Sequence, residues 1–253
     1  ATPEYAAVAN YAYHLDAGKF GLFLRAHCTG RLGVAHISDR VVSINASDDG
    51  DIASLQLKNH GVGAGGLFVD CTGMQSLLTG QHVGIDFVSR KSVLFNDSAL
   101  AIQVPYLRED QEIASQTNAT AQRSGWIWDI GLPTRRGVGY VYSSAHTTDD
   151  AAEIELRSYL NASDASGDAP TVRKLSFEPG YRARFWHRNC VAIGLSAGFI
   201  EPLEASAIAL VELSAAMLRD DMPATRSDMD IVARRFNDAF AYRWERVIDF
   251  LKL

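Results

Sequence analysis

The period of the apolar positions changes several times along the chain, and each change predicts an element. In DAGKFGLFLRAHC (16–28), Phe20, Phe23 and Leu24 fall at helical spacing. Runs of strand character follow: VAHIS (34–38), RVVSINA (40–46), DIASLQLKN (51–59) and GGLFVDCTG (65–73), with DDGD (48–51) as a turn between two of them. SVLFNDSALAIQVPY (92–106) predicts a further strand, ended by Pro105. ATAQR (119–123), GWIWDIG (125–131) and GVGYVYSS (137–144) predict an antiparallel meander. TTDDAAEIELRSYL (147–160) predicts a helix with an acidic first turn, and ASDASGDAP (162–170) a polar loop. TVRKLSFEPG (171–180) and YRARFWHR (181–188) predict two strands that lead into NCVAIGL (189–195). Two helices are expected at about 203–219 and 225–252, the second with Val232, Phe236, Phe240 and Trp244 near every fourth position as a buried stripe. The pattern is α/β with α+β character: many strands, an antiparallel section and a helical C-terminal part. No βαβ unit opens it, so these residues do not predict a doubly wound fold.

Composition narrows the classes. At 47% hydrophobic and 21% charged, the 253 residues can bury a core. A net charge of −6 announces no surface for a polyanion, so a nucleic-acid partner is not expected. Cys28, Cys71 and Cys190 lie far apart, with no CxxC or HxxxH spacing. Reduced, buried thiols of a cytoplasmic protein are therefore expected, with no disulfide framework or zinc. The seven histidines show no metal-ligand spacing either. No apolar run is long enough to span a bilayer, so no membrane partner is expected. The sequence starts and stops inside structured-looking patterns and is expected to be a piece of a longer protein.

Candidate chemistry centres on GFIEPLEASAIAL (198–210), where an apolar segment hands over to an apolar helix around Glu201 and Glu204. One reading is a helix cap: Glu201 near the N-cap, Pro202 at the first helical position and Glu204 at the third. The cap alone explains most of the pattern. The other reading uses Ala205, Ser206 and Ala207, small residues that leave the first helical N–H groups open to an anion or a flat cofactor. In GLFVDCTGMQSLL (66–78) a strand ends at a Gly turn, where a dinucleotide could lie; Asp70 within it is read as a carboxylate that caps the strand end. Trp126 and Trp128 share one strand face, as a core pair or as an aromatic wall. No Gly-x-Ser-x-Gly elbow is present, and GVGAGG (61–66), which has GxGxxG spacing, precedes a strand rather than following one and is discounted as a phosphate-binding loop.

Taken in order, YHLDAGKFGLFLR, RVVSI, FVDCTGMQSLL, NDSALAIQVP, GWIWDIGLPTRRGVGYVYSS and NCVAIGLSAGFIEPLEAS resemble segments of the flavin-dependent halogenases, the tryptophan halogenase family. The resemblance spans about 11–220. It implies a fold of the FAD/NAD(P)-binding flavoprotein monooxygenase type, with an antiparallel substrate-side sheet at about 85–188. On this basis residues 1–204 would be the FAD-binding domain, and 205–253 the helices leading into a substrate-binding region. The implied activity is FAD-dependent halogenation of an electron-rich aromatic substrate, tryptophan- or indole-like. A flavin hydroperoxide would oxidise chloride or bromide to hypohalous acid, with reduced FAD delivered by a separate flavin reductase.

Carried over residue by residue, the resemblance places Glu204 as the active-site glutamate and the N–H groups of Ser206 and Ala207 as halide donors. It places Leu195 and Ile208 as backbone contacts of FAD and Val41 at the adenine. Trp126 and Trp128 become the barrier between substrate and flavin. Gly131 stands where the family motif has Pro, and Ser206-Ala207 where Thr-Gly is usual. The GxGxxG turn and the catalytic lysine of the family have no counterpart in these residues, so they alone are expected to be inactive. A related FAD-dependent monooxygenase and a truncated non-catalytic flavoprotein are the alternatives.

Overall fold

The structure, a computed structural model, describes residues 12–163, 171–203 and 205–252. In chain order the elements are α1 (Ala17–Arg31), β1 (Val41–Ala46), β2 (Ile52–Leu57), β3 (Gly61–Ala64), β4 (Phe68–Asp70), β5 (Phe87–Ser89), β6 (Ser98–Pro105), β7 (Asn118–Gln122), β8 (Gly125–Leu132) and β9 (Arg135–Tyr142). Then come α2 (Asp149–Ser163), β10 (Arg173–Ser176), β11 (Gly180–Arg182), β12 (Trp186–His187), β13 (Cys190–Ala192), β14 (Gly198–Phe199), α3 (Ser206–Asp220) and α4 (Arg226–Leu251). Two compact units are interleaved in sequence: residues 1–36, 100–140 and 149–174 form one, and 37–99, 141–148 and 175–253 the other.

The first unit is built on a five-stranded sheet of order β10-β6-β9-β8-β7, in which β7 and β8 pair antiparallel. Helix α2 buries Ala152, Leu156 and Leu160, one residue per turn, as its amphipathic pattern requires. The Oη of Tyr140 donates to Glu155 at 2.8 Å and that of Tyr159 to Asp129 at 3.1 Å, so two part-buried hydroxyls of strand and helix are satisfied across the packing face. Trp126 and Trp128 meet edge to face, with ring centroids 6.3 Å apart, as their shared strand face predicts. Helix α1 is capped by Asp16, whose carboxylate accepts from Lys19 N at 3.2 Å, and none of its residues is buried.

In the second unit, β1, β2 and β3 form an antiparallel sheet; β12 and β13 form a hairpin, and β13 pairs parallel with β4. The helical stripe read in the sequence is real: Phe236, Phe240 and Trp244 of α4 are buried, Val232 is packed beside them, and Phe185 and Trp186 complete an aromatic core. Two asparagine side chains act as pieces of backbone. Asn237 Oδ1 accepts from the N–H groups of Phe185 and Trp186 at 2.8 Å each, while its amide donates to Trp186 O at 2.8 Å. Asn189 exchanges two 2.9 Å bonds with Ile52 in the same way.

Three expectations are corrected. VAHIS (34–38) is not a strand, because it is exposed and, among the described residues, no strand pairs with it to complete a ladder. The strand expected from residue 92 begins only at Ser98, because Asn96 and Asp97 are taken by side-chain partners. Of the cysteines expected to be buried, only Cys190 is; Cys71 is exposed and Cys28 half-buried. Burial pushes the Cys190 thiol up to about 11. No helix among the described residues is long and apolar enough to cross a membrane.

Candidate functional site

The site forms where two parallel strands end together. In the β4–β13 pair, Asp70 lies opposite Ala192, and each strand then turns through a glycine of positive φ: Gly73 at 72° and Gly194 at 71°. Such a backbone favours glycine, since a Cβ would crowd the following carbonyl. The fully buried Asp70 carboxylate organises the first turn. It accepts from Thr72 N at 3.0 Å, Thr72 Oγ1 at 2.6 Å, Leu78 N at 3.1 Å and Thr79 N at 2.7 Å. It is therefore a strand-end capping carboxylate, as its place in the sequence suggests. A single wide turn of π type, Leu77–His82, follows. The second turn docks on the first: Ile193 N donates to Asp70 O at 3.0 Å, and the Ser196 hydroxyl rests against the same carbonyl.

Beyond Gly194 the chain returns as β14, pressed so closely on β11 that a Cβ at Gly198 would lie 2.5 Å from Gly180 O. Glu201 follows, buried, with Asn96 Nδ2 donating to its Oε2 at 2.7 Å. Beside it Asp97 accepts from Ser144 N at 2.8 Å, Ser144 Oγ at 2.7 Å and Lys91 Nζ at 2.6 Å. Burial alone would raise the Asp97 pKa; the Lys91 ammonium and the two Ser144 donors outweigh it and lower it to about 2. Asn96 and Asp97 escaped the sequence reading. Their signal was a polar pair set directly against an apolar strand.

The helix cap expected at 201–204 is corrected. Helix α3 starts at Ser206, and its N-cap is Ala205, held in the left-handed region at φ 52° by a turn in which Ala205 N donates to Pro202 O at 2.9 Å. Pro202 therefore sits in a turn before the helix, and Glu201 faces Asn96. Ala205 offers no capping side chain, so the first-turn N–H groups at Ser206 and Ala207 keep no side-chain partner from it. Glu204 lies outside the described residues.

Four predicted residues come together: Leu195, Ser206, Ala207 and Ile208 line the same cavity, of about 230 Å³. Leu195 and Ile208 are exposed, and Ser206 is half-buried. Val41 lies elsewhere in this unit, at the start of β1 opposite Leu57. Trp126 and Trp128 belong to the other unit. Among the described residues no three His, Cys, Asp or Glu gather into a metal site.

Parallel strands that end at two glycine turns, beside the uncapped start of a helix, leave a recess of the kind in which α/β proteins hold ligands, beyond the carboxyl ends of their strands. The family model described as tryptophan halogenase matches residues 2–253, and the chain belongs to that family. It is 39% identical over 243 residues to tryptophan 6-halogenase SttH of Streptomyces toxytricini, covering 96% of this chain and 46% of that protein. A solved tryptophan halogenase of Shewanella frigidimarina superposes with a TM-score of 0.90 at 53% identity, covering 94% of this chain and 45% of the other. BrvH, a flavin-dependent halogenase from Brevundimonas sp. BAL3, gives 0.87 at 40% identity, covering 94% and 47%. The chain thus spans about half the length of the curated relatives it matches.

Proposed function

We propose that the protein carrying this chain is a flavin-dependent halogenase acting on an electron-rich aromatic compound of the tryptophan or indole class, with chloride or bromide as co-substrate. The observation that carries this reading is the meeting of Leu195, Ser206, Ala207 and Ile208 at one cavity beside the uncapped start of α3. The residues fit FAD. Gly194 has no Cβ to obstruct a flat ring, and the apolar side chains of Leu195 and Ile208 stand exposed beside it. The fold is then the FAD/NAD(P)-binding monooxygenase type, with Val41 at the adenine. Residues 1–204 serve the cofactor, and 205–253 lead towards the substrate region.

Bound reduced flavin supplies, with dioxygen, the oxidising power that turns halide into hypohalous acid. The N–H groups of Ser206 and Ala207, at the positive end of the α3 dipole, hold the halide anion. The short side chains at 205–207 let it approach the backbone. Glu204 takes the proton released from the aromatic carbon, and Trp126 and Trp128 keep the aromatic substrate from the flavin. A separate flavin reductase delivers the reduced cofactor.

The test supplies the full-length protein with FAD, a reductase, NADH, oxygen and bromide, and reads products from indoles and phenols by mass spectrometry. A bromine isotope doublet that vanishes in Glu204→Gln supports the reading. Products that gain only oxygen would assign the protein to the monooxygenases and remove the halide role of Ser206 and Ala207.

A further inference from the structure

The cavity that opens at Leu195, Ser206 and Ile208 does not end there. It runs inward between β13, α3 and α4 to a floor made by Phe185, Ala192, Phe236, Phe240 and Trp244, each of them at most 4% exposed. Its side-chain hydroxyls are those of Ser206, at the mouth, and Ser214, deeper in. Ser214 Oγ already donates to Leu210 O at 2.7 Å. An ordered water needs two to four polar partners, and the floor offers rings and methyl groups instead. The cavity holds about 230 Å³ in all, mouth included, and its inner end, walled by rings and methyl groups, favours a small uncharged apolar guest, which gains dispersion contacts with the rings.

We propose that this inner cavity binds a small apolar gas molecule, and that in the reaction proposed above the guest is dioxygen, stored next to the place where the flavin would lie. The first half stands on the cavity alone; the second rests on the flavin-dependent reading. The two co-substrates would then reach the start of α3 from different phases: the halide from water along the helix N–H groups, the dioxygen from an apolar pocket behind them.

The probe is xenon, an apolar atom that needs no flavin. Under xenon pressure, the methyl resonances of Ala192 and Leu210 in the labelled full-length protein should shift and saturate. Two variants fill the space from different sides: Ser214→Leu from within α3, and Val211→Phe from the partly exposed mouth, where the fold is least at risk. In both, the xenon-dependent shifts should be lost. No shift in the parent chain, or shifts that survive both substitutions, would overturn the cavity assignment, whatever the fate of the halogenase reading. In the flavin-loaded full-length protein, the same substitutions should raise the apparent KM for dioxygen several-fold with the KM for halide unchanged. Xenon binding lost while the KM for dioxygen stays constant would overturn the assignment of dioxygen as the guest.

Discussion

Asn96 Nδ2 donates to Glu201 Oε2 at 2.7 Å and so ties the residues before β6 to the segment that runs into α3. Glu201 is only 9% exposed, so this donor serves a buried carboxylate. Asn96→Ala is expected to lower stability by about 1.5–3 kcal/mol, the range for a hydrogen bond to a charged group. Asn96→Asp is the sharper test, because it sets two carboxylates against each other. The repulsion needs both groups ionised, so the loss should shrink as pH falls from neutral into the acidic range and a proton comes to be shared between them. Thermal unfolding across that range reads it. A pH-independent loss would mean that the contact matters only for packing.

Asp70 collects three backbone N–H groups and the Thr72 hydroxyl, all at 3.1 Å or less, and the Ser76 hydroxyl at 3.5 Å. An amide keeps only one oxygen and points an NH₂ group at donors. Asp70→Asn should therefore destabilise by at least about 3 kcal/mol, since several buried donors lose their acceptor at once and each unsatisfied group costs about 1–3 kcal/mol. Urea denaturation measures the loss. Amide exchange at Leu78 and Thr79 should rise first, since both N–H groups bond to this carboxylate.

How far this arrangement can be read from sequence depends on the kind of interaction. The α4 stripe and the meander from 119 to 144 were legible because period and alternation are local properties. Asp70 stood out because a carboxylate inside an apolar run needs local donors, and Thr72, Leu78 and Thr79 lie within nine residues of it. Asn96 and Glu201 are 105 residues apart and carry no pattern that joins them. The start of α3 was misplaced for a related reason. Pro202 and two acidic residues satisfy the rules for a helix start, but Asn96 takes Glu201 away and the Pro202–Ala205 turn delays the helix to Ser206. VAHIS (34–38) has strand composition without a neighbouring edge, and composition cannot supply one.

Gly139 should not tolerate a side chain. A Cβ there would lie 2.0 Å from Trp128 Cζ2 and 2.6 Å from the backbone oxygen of Leu100. Gly139→Ala is expected to destabilise by about 3 kcal/mol, at the upper end for overpacking, because one of the two obstacles is backbone. Adding Trp128→Ala removes the ring but leaves Leu100 O in place. The double variant should thus recover only part of the loss relative to Trp128→Ala alone. Full additivity in a double-mutant cycle would show that Trp128 and Gly139 do not press on each other.

Asp97 gives the clearest pH dependence. Its pKa is about 2 in the folded protein against an ordinary 3.8, so the folded state favours the ionised form. The stabilisation is fully present above about pH 4 and is lost as pH falls through about 2; it amounts to about 2 kcal/mol. Asp97→Asn should be less stable than the parent at neutral pH and should lose less between about pH 4 and pH 2. The two kinds of partner separate by ionic strength. Lys91 is half-exposed, so its share should weaken in molar salt, whereas the Ser144 N–H and hydroxyl are partly buried dipoles that salt barely screens. Denaturant titrations of the parent and of Lys91→Met, at low and high salt, distinguish them. If Lys91→Met removes the acid sensitivity entirely, Ser144 contributes nothing to holding the carboxylate ionised.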